Sequence, residues 1–115
     1  MKITGIGIDI VDVKQFEKIR FNSKPGFYKK LFTKSEIKYC LRYKNYFEHF
    51  AAKFAVKEAV KKSIREKISM IQIETYHSKL KPQVRVQKLE KKYTFYVSLS
   101  HEKDLAVAVV IAELV

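Results

Sequence analysis

Apolar and polar positions alternate over residues 3–11, with Ile6, Ile8 and Ile10 on one side and Gly5, Gly7, Asp9 and Val11 on the other. A period of two predicts a strand, and the glycines leave one of its faces unusually bare. Residues 13–20 suit a short helix, closed by the loop Asn22-Ser23-Lys24-Pro25-Gly26. Residues 27–32 read as a helical turn. Thr33-Lys34-Ser35-Glu36 then fits a capping box, which predicts a helix to about Tyr43. A longer helix is expected over 47–63. At about 100° per residue, Phe47, Phe50, Ala51 and Phe54 form its apolar stripe, Glu58 falls in the middle, and Lys62 flanks the same face.

The second half changes period. Residues 71–73, 84–89, 93–100 and 105–114 read as strands, with Val84/Val86 and Phe95/Val97/Leu99 alternating against polar neighbours. Lys88 to Lys92 reads as a charged hairpin turn and Ser100 to Asp104 as a second turn. Helices first and hairpins afterwards predict an α+β fold, an antiparallel sheet packed against helices. No repeat, linker or low-complexity stretch divides the chain, so residues 1–115 are expected to form a single domain.

Two carboxylates do not suit their places. Asp9 lies on the bare face of the first strand, and Glu58 interrupts the apolar stripe of the long helix. If that helix packs on the glycine face, the two converge. Close carboxylates repel unless a cation lies between them, and Mg²⁺ commonly binds through one or two carboxylates plus water and substrate phosphate. Lys62 would meet the remaining phosphate charge, which points to phosphoryl-group transfer. The same residues have plainer readings. Asp9 is equally a turn or cap residue, Glu58 and Lys62 an ordinary i,i+4 pair, and His101 a surface histidine. Lys57, Lys61 and the other lysines read as solvated surface, and the aromatics at 47, 50 and 54 as core.

Charge narrows the partners. Lysine and arginine number 24 against 12 acidic residues, a net charge of +12 that favours polyanions. No recognised nucleic-acid motif accompanies it, and the aromatics fall on core faces, so nucleic acid is not expected. With 47% hydrophobic residues the chain can build an ordinary core. The single Cys40 cannot form an internal disulfide, which predicts a reduced, cytoplasmic setting. No apolar run approaches the roughly 20 residues that span a bilayer, so no membrane role is expected.

Five segments, taken in order, resemble one family. They are Gly5-Ile6-Gly7-Ile8-Asp9-Ile10-Val11, Leu31-Phe32-Thr33-Lys34-Ser35-Glu36, Phe50 to Ala59 with Lys62, Lys81-Pro82-Gln83-Val84, and Ser98-Leu99-Ser100-His101. They are similar to the G-x-G-x-D-I-V, F-T-x-x-E, F-A-x-K-E-A-x-x-K, K-P-x-V and S-I-S-H motifs of the holo-[acyl-carrier-protein] synthases, the small trimeric class of 4′-phosphopantetheinyl transferases. The resemblance implies transfer of phosphopantetheine from coenzyme A to a serine of an acidic apo-acyl carrier protein, releasing adenosine 3′,5′-bisphosphate. It implies that Asp9 and Glu58 hold Mg²⁺ and that Glu58 helps take the serine proton. Lys62 would neutralise the pyrophosphate, His101 lie near the adenosine 3′-phosphate, and Lys81-Pro82 line the coenzyme A cleft. It further implies a homotrimer with sites between subunits, and carrier docking on the first helix, here bearing Lys14, Lys18, Arg20 and Lys24.

The chain departs from the family at three places. Gln15 stands where an arginine is usual. Lys62-Ser63-Ile64-Arg65-Glu66-Lys67 replaces a glycine turn, and Leu80 replaces a glycine before Lys81-Pro82. These departures leave a second reading open, a catalytically weakened homologue serving as a basic binding module for acidic partners. The physiological carrier, whether of fatty-acid, polyketide or peptide synthesis, is not written in the sequence.

Overall fold

The computed structural model describes residues 2–115. Strand β1 (Ile3–Asp12) leads into helices α1 (Val13–Lys18), α2 (Pro25–Leu31), α3 (Lys34–Leu41) and α4 (Tyr46–Ser63). A 3₁₀ turn (Met70–Gln72) precedes β2 (Ile73–Ser78), β3 (Lys81–Val86), β4 (Tyr93–Glu102) and β5 (Leu105–Leu114). The fold is α+β, as expected. However, its strands form two sheets: an antiparallel β1-β5-β4 sheet and a separate β2-β3 hairpin. Lys88 to Lys92 is therefore a crossing between sheets rather than a hairpin turn.

Local chemistry sets the helix starts. Asp12 caps α1, its carboxylate accepting from the Lys14 amide at 2.9 Å. Pro25 stands in the first turn of α2, where its missing N–H costs nothing, so α2 begins inside the expected loop. Thr33 and Glu36 close the capping box of α3. The expected strand at 71–73 is largely the 3₁₀ turn; the strand itself starts at Ile73, where the Ser69–Gln72 box ends.

Helix α4 is the centrepiece of the core. Its backbone lies directly on β1 because Gly5 and Gly7 carry no side chain. A Cβ at Gly7 would stand 1.9 Å from the Ala59 carbonyl oxygen, and one at Gly5 2.0 Å from that of Ser63. Neither glycine has a positive φ, so close approach alone requires them. Beside them, β5 offers Ala106, Ala108, Val110 and Ala112, all buried on the same face. Phe50, Tyr28, Phe32 and Phe16 fill the far side of α4. The helix is thus buried almost all round, through Phe50, Ala51, Ala55, Val56, Ala59 and Val60. Glu58 does not sit mid-stripe; it is half-buried on the helix's one open flank.

The opposite sheet face is bare. Ile6, Ile8 and Ile10 remain 64%, 60% and 60% exposed. Val109 pairs with Ile8, and Val107 with Ile10. No helix of the described residues is long and apolar enough to cross a membrane.

Candidate active site

Asp9 and Lys62 meet where α4 crosses β1. The Lys62 ammonium lies 3.1 Å from Asp9 Oδ1 and donates to the Ile8 carbonyl at 3.0 Å. Gly7 makes this meeting possible, since the Lys62 Cβ lies only 3.1 Å from where a Gly7 Cβ would stand. Glu58 precedes Lys62 by one helical turn and so shares its flank. Its carboxylate has no cation within 4 Å among the described residues. The structure therefore joins Asp9 to Lys62, with Glu58 beside them. The Asp9–Lys62 pair is half-open to water, and such pairs contribute about 1 kcal/mol at most. Substrate charge can displace it at little cost.

His101, Lys81 and Pro82 lie elsewhere. His101 is near the end of β4, the sheet's far edge, roughly two strand spacings (about 10 Å) from β1. Pro82 lines a pocket of about 190 Å³ with His101, His49, His77 and Lys53. Lys81 and Pro82 also line a cleft of about 680 Å³ against β4 residues 94–99. Lys53 and Lys62 are nine residues apart, about half a turn out of phase, so α4 stands between the two groups. The two groups of sequence-predicted residues thus lie on opposite sides of one helix. Among the described residues no three His, Cys, Asp or Glu side chains gather to hold a metal.

Comparison with known proteins decides the family. The profile described as "4'-phosphopantetheinyl transferase superfamily" matches residues 5–110. The chain belongs to that superfamily. It is 40% identical over 112 residues to the holo-[acyl-carrier-protein] synthase of Thermodesulfovibrio yellowstonii, covering 95% of this chain and 97% of that one. Its fold matches the holo-(acyl-carrier-protein) synthase of Bacillus anthracis, solved in complex with "CoA (3',5'-ADP)", with a TM-score of 0.84 and 30% identity over 100% of both chains. The Helicobacter pylori synthase, solved with coenzyme A, gives 0.79 and 31% identity over 94% of this chain and 99% of that one. The chain is an enzyme of the holo-[acyl-carrier-protein] synthase kind, a phosphopantetheinyl transferase.

The transferase also contains an ionic network that the sequence did not announce. Lys57 is fully buried rather than solvated, 2.6 Å from Glu36 Oε1. Its ammonium donates as well to the carbonyls of Leu31 (2.7 Å) and Met70 (3.1 Å), which uses all three of its protons. Glu36 accepts from Lys57, the Thr33 amide (2.8 Å), the Thr75 amide (2.7 Å) and the Thr75 hydroxyl (2.8 Å). Lys53 is buried too and donates to Thr75 Oγ1 at 2.8 Å. Burial pushes both lysines below their ordinary pKa, and the carboxylate of Glu36 pulls each back. The donor count requires Lys57 charged. Its signal in the sequence was position: Lys57 lies seven residues after Phe50, back on the buried face of α4.

At the β2-β3 turn, Lys79 and Leu80 take φ values of 53° and 65°. The left-handed backbone that a glycine would supply is retained without one, and Leu80 is 98% exposed.

Proposed function

We propose that this transferase moves the 4′-phosphopantetheine of coenzyme A to a serine hydroxyl of an apo-acyl carrier protein, with Mg²⁺, and releases adenosine 3′,5′-bisphosphate. The observation that carries this reading is the Asp9–Lys62 contact with Glu58 one turn away, on a floor cut flat by Gly5 and Gly7. Two carboxylates without a third acidic neighbour suit a hard cation that completes its shell with water and phosphate oxygens. Asp9 and Glu58 would hold it, and it would supply charge neutralisation at the pyrophosphate.

The chain's own residues supply the rest. The serine oxygen forms a new bond to the phosphorus nearest pantetheine, and the bridging P–O bond breaks. Glu58, which has no lysine, arginine or histidine partner among the described residues, helps take the serine proton directly or through water. Lys62 leaves Asp9 for the pyrophosphate and stabilises the bisphosphate as it departs. His101, which shares a pocket with Lys53, His49 and His77, would receive the 3′-phosphate, and Lys81 and Pro82 would line the coenzyme A cleft.

Since α4 separates the two groups, one chain's Asp9, Glu58 and Lys62 would work with His101, Lys81 and Pro82 of another. The bare isoleucine face of β1 supports a homotrimer. Covering each isoleucine contributes roughly 1 kcal/mol or more. Lys18 on α1 borders an apolar groove of about 600 Å³ formed with Phe16, Ile19, Phe27, Leu31 and Phe54, while Lys14 pairs with Asp104. That combination suits an acidic, amphipathic carrier in the cytoplasm. Gln15 lines the same groove, so no bidentate arginine contact is available there. The test is release of adenosine 3′,5′-bisphosphate from coenzyme A, apo-carrier and Mg²⁺. Asp9→Asn and Glu58→Gln should each abolish release while leaving the melting temperature unchanged. Full turnover by both would refute the metal assignment.

A further inference from the structure

Thr75 faces inward from β2, two residues after Ile73, where the alternation would ordinarily place an apolar side chain. Its polar atoms are all engaged. The amide and the hydroxyl both donate to Glu36 Oε2, at 2.7 and 2.8 Å. The hydroxyl oxygen and the carbonyl accept from the Lys53 ammonium, at 2.8 and 3.3 Å. The direction of the hydroxyl proton is fixed, because an ammonium cannot accept and an ionised carboxylate cannot donate. One threonine thus joins a buried cation to a buried carboxylate out of its reach, since Lys53 has no carboxylate within 4 Å among the described residues. Burial lowers the proton affinity of Lys53, and Glu36 is among the groups that oppose this.

Lys53 also forms part of the wall of the pocket of about 190 Å³ that it shares with His49, His77 and His101, whose lining contains no carboxylate. The Tyr39 ring centre stands 4.8 Å from the ammonium and offers a π face rather than a lone pair. With two bonds to Thr75, the ammonium keeps one proton for which no oxygen or nitrogen acceptor exists among the described residues. We propose that Thr75 is a positioning residue of the nucleotide end of the site: its hydroxyl ties the Lys53 ammonium to Glu36 and holds it charged and in one place, with a free proton for an anionic group of the substrate. The proposal rests on the transferase reading, in which that group is the phosphate monoester of coenzyme A. The contrasting role is support alone, in which Thr75 joins β2 to α3 through Glu36 and affinity owes nothing to it.

A double-mutant cycle separates the two roles. Adenosine 3′,5′-bisphosphate and adenosine 5′-monophosphate are titrated calorimetrically into the wild-type protein, Thr75→Val, Thr75→Ser, Lys53→Met and the double variant Lys53→Met/Thr75→Val, with each melting temperature recorded. Thr75→Val should bind the bisphosphate about tenfold more weakly, the effect expected when a charge-assisted hydrogen bond is lost. The monophosphate should lose less. Thr75→Ser, which keeps the hydroxyl, should bind within about twofold of wild type. Because Thr75 acts through Lys53, the double variant should bind as Lys53→Met does alone. Thr75→Cys, whose thiol is a weak donor and acceptor, should repeat the loss seen in Thr75→Val and replaces it should the valine variant not fold. A lowered melting temperature with affinity intact overturns the proposal, and so does a loss in Thr75→Val that adds in full to that of Lys53→Met. A protein in which the cycle holds yet no carrier is modified would overturn the transferase reading and leave the role of Thr75 standing.

Discussion

Lys57 and Glu58 are sequence neighbours with opposite duties. Lys57 turns inward to Glu36 and locks α4 to α3 and β2, which leaves Glu58 on the open flank beside Lys62. Removing one partner of a buried, hydrogen-bonded pair strands the other charge. Lys57→Ala should therefore cost about 3–5 kcal/mol in denaturant unfolding, whereas Lys61→Ala, on an exposed position of the same helix, should cost under about 0.5 kcal/mol. Glu36 was legible as a cap residue because the capping box is local in sequence. Its pairing with Lys57, 21 residues away, was not, because that contact is tertiary. Asp9 was legible as a misfit on the glycine face and Lys62 as a flanking residue, whereas Glu58, read as interrupting the apolar stripe, lies on the open flank of α4. That Asp9 rests on Lys62 depends on side-chain reach, which periodicity does not carry.

Among the elements, the β1–α4 crossing matters most. Its glycines were visible as a bare strand face, and the alternation of β1 and β5 gave their extents closely. The β2-β3 hairpin was misplaced because the 3₁₀ turn and Lys81-Pro82 carry no clear period of two. Gly7→Ala would drive a methyl into the Ala59 carbonyl, 1.9 Å away. We expect a loss of about 3 kcal/mol or more, at the upper end for overpacking, together with lost turnover as α4 is pushed off β1 and carries Glu58 and Lys62 away from Asp9. The α3–α4–β2 junction makes a different prediction. His49 stacks on Tyr43 at 3.9 Å, and His77 on Tyr39 at 5.1 Å. Burial lowers both imidazole pKa values below the ordinary 6.5, with nearby Lys53 pushing the same way and Glu48 opposing it at His49. The folded state thus binds fewer protons than the unfolded chain, so stability is full above about pH 6.5 and declines as pH falls below it. Melting curves between pH 7.5 and 5 should show that decline, and His49→Gln with His77→Gln should flatten it.

At the scale of the molecule, the proposed homotrimer would cover the bare isoleucine face and bring the two residue groups of neighbouring chains together. Charging that face should break it. Ile8→Asp is expected to give a folded monomer by light scattering, with turnover lost although Asp9, Glu58 and Lys62 are intact. A monomer of undiminished turnover would contradict a shared site. None of this was legible from pattern alone: the outward isoleucines read simply as one side of a strand, and only the fold shows them uncovered.

Group transfer is read directly in the intact mass of the carrier. Apo-acyl carrier protein incubated with this protein, coenzyme A and Mg²⁺ should gain the mass of one phosphopantetheine, and the gain should vanish with chelator or with a carrier whose acceptor serine is alanine. A panel of apo-carriers that all keep their starting mass, with coenzyme A and Mg²⁺ in excess, would contradict it.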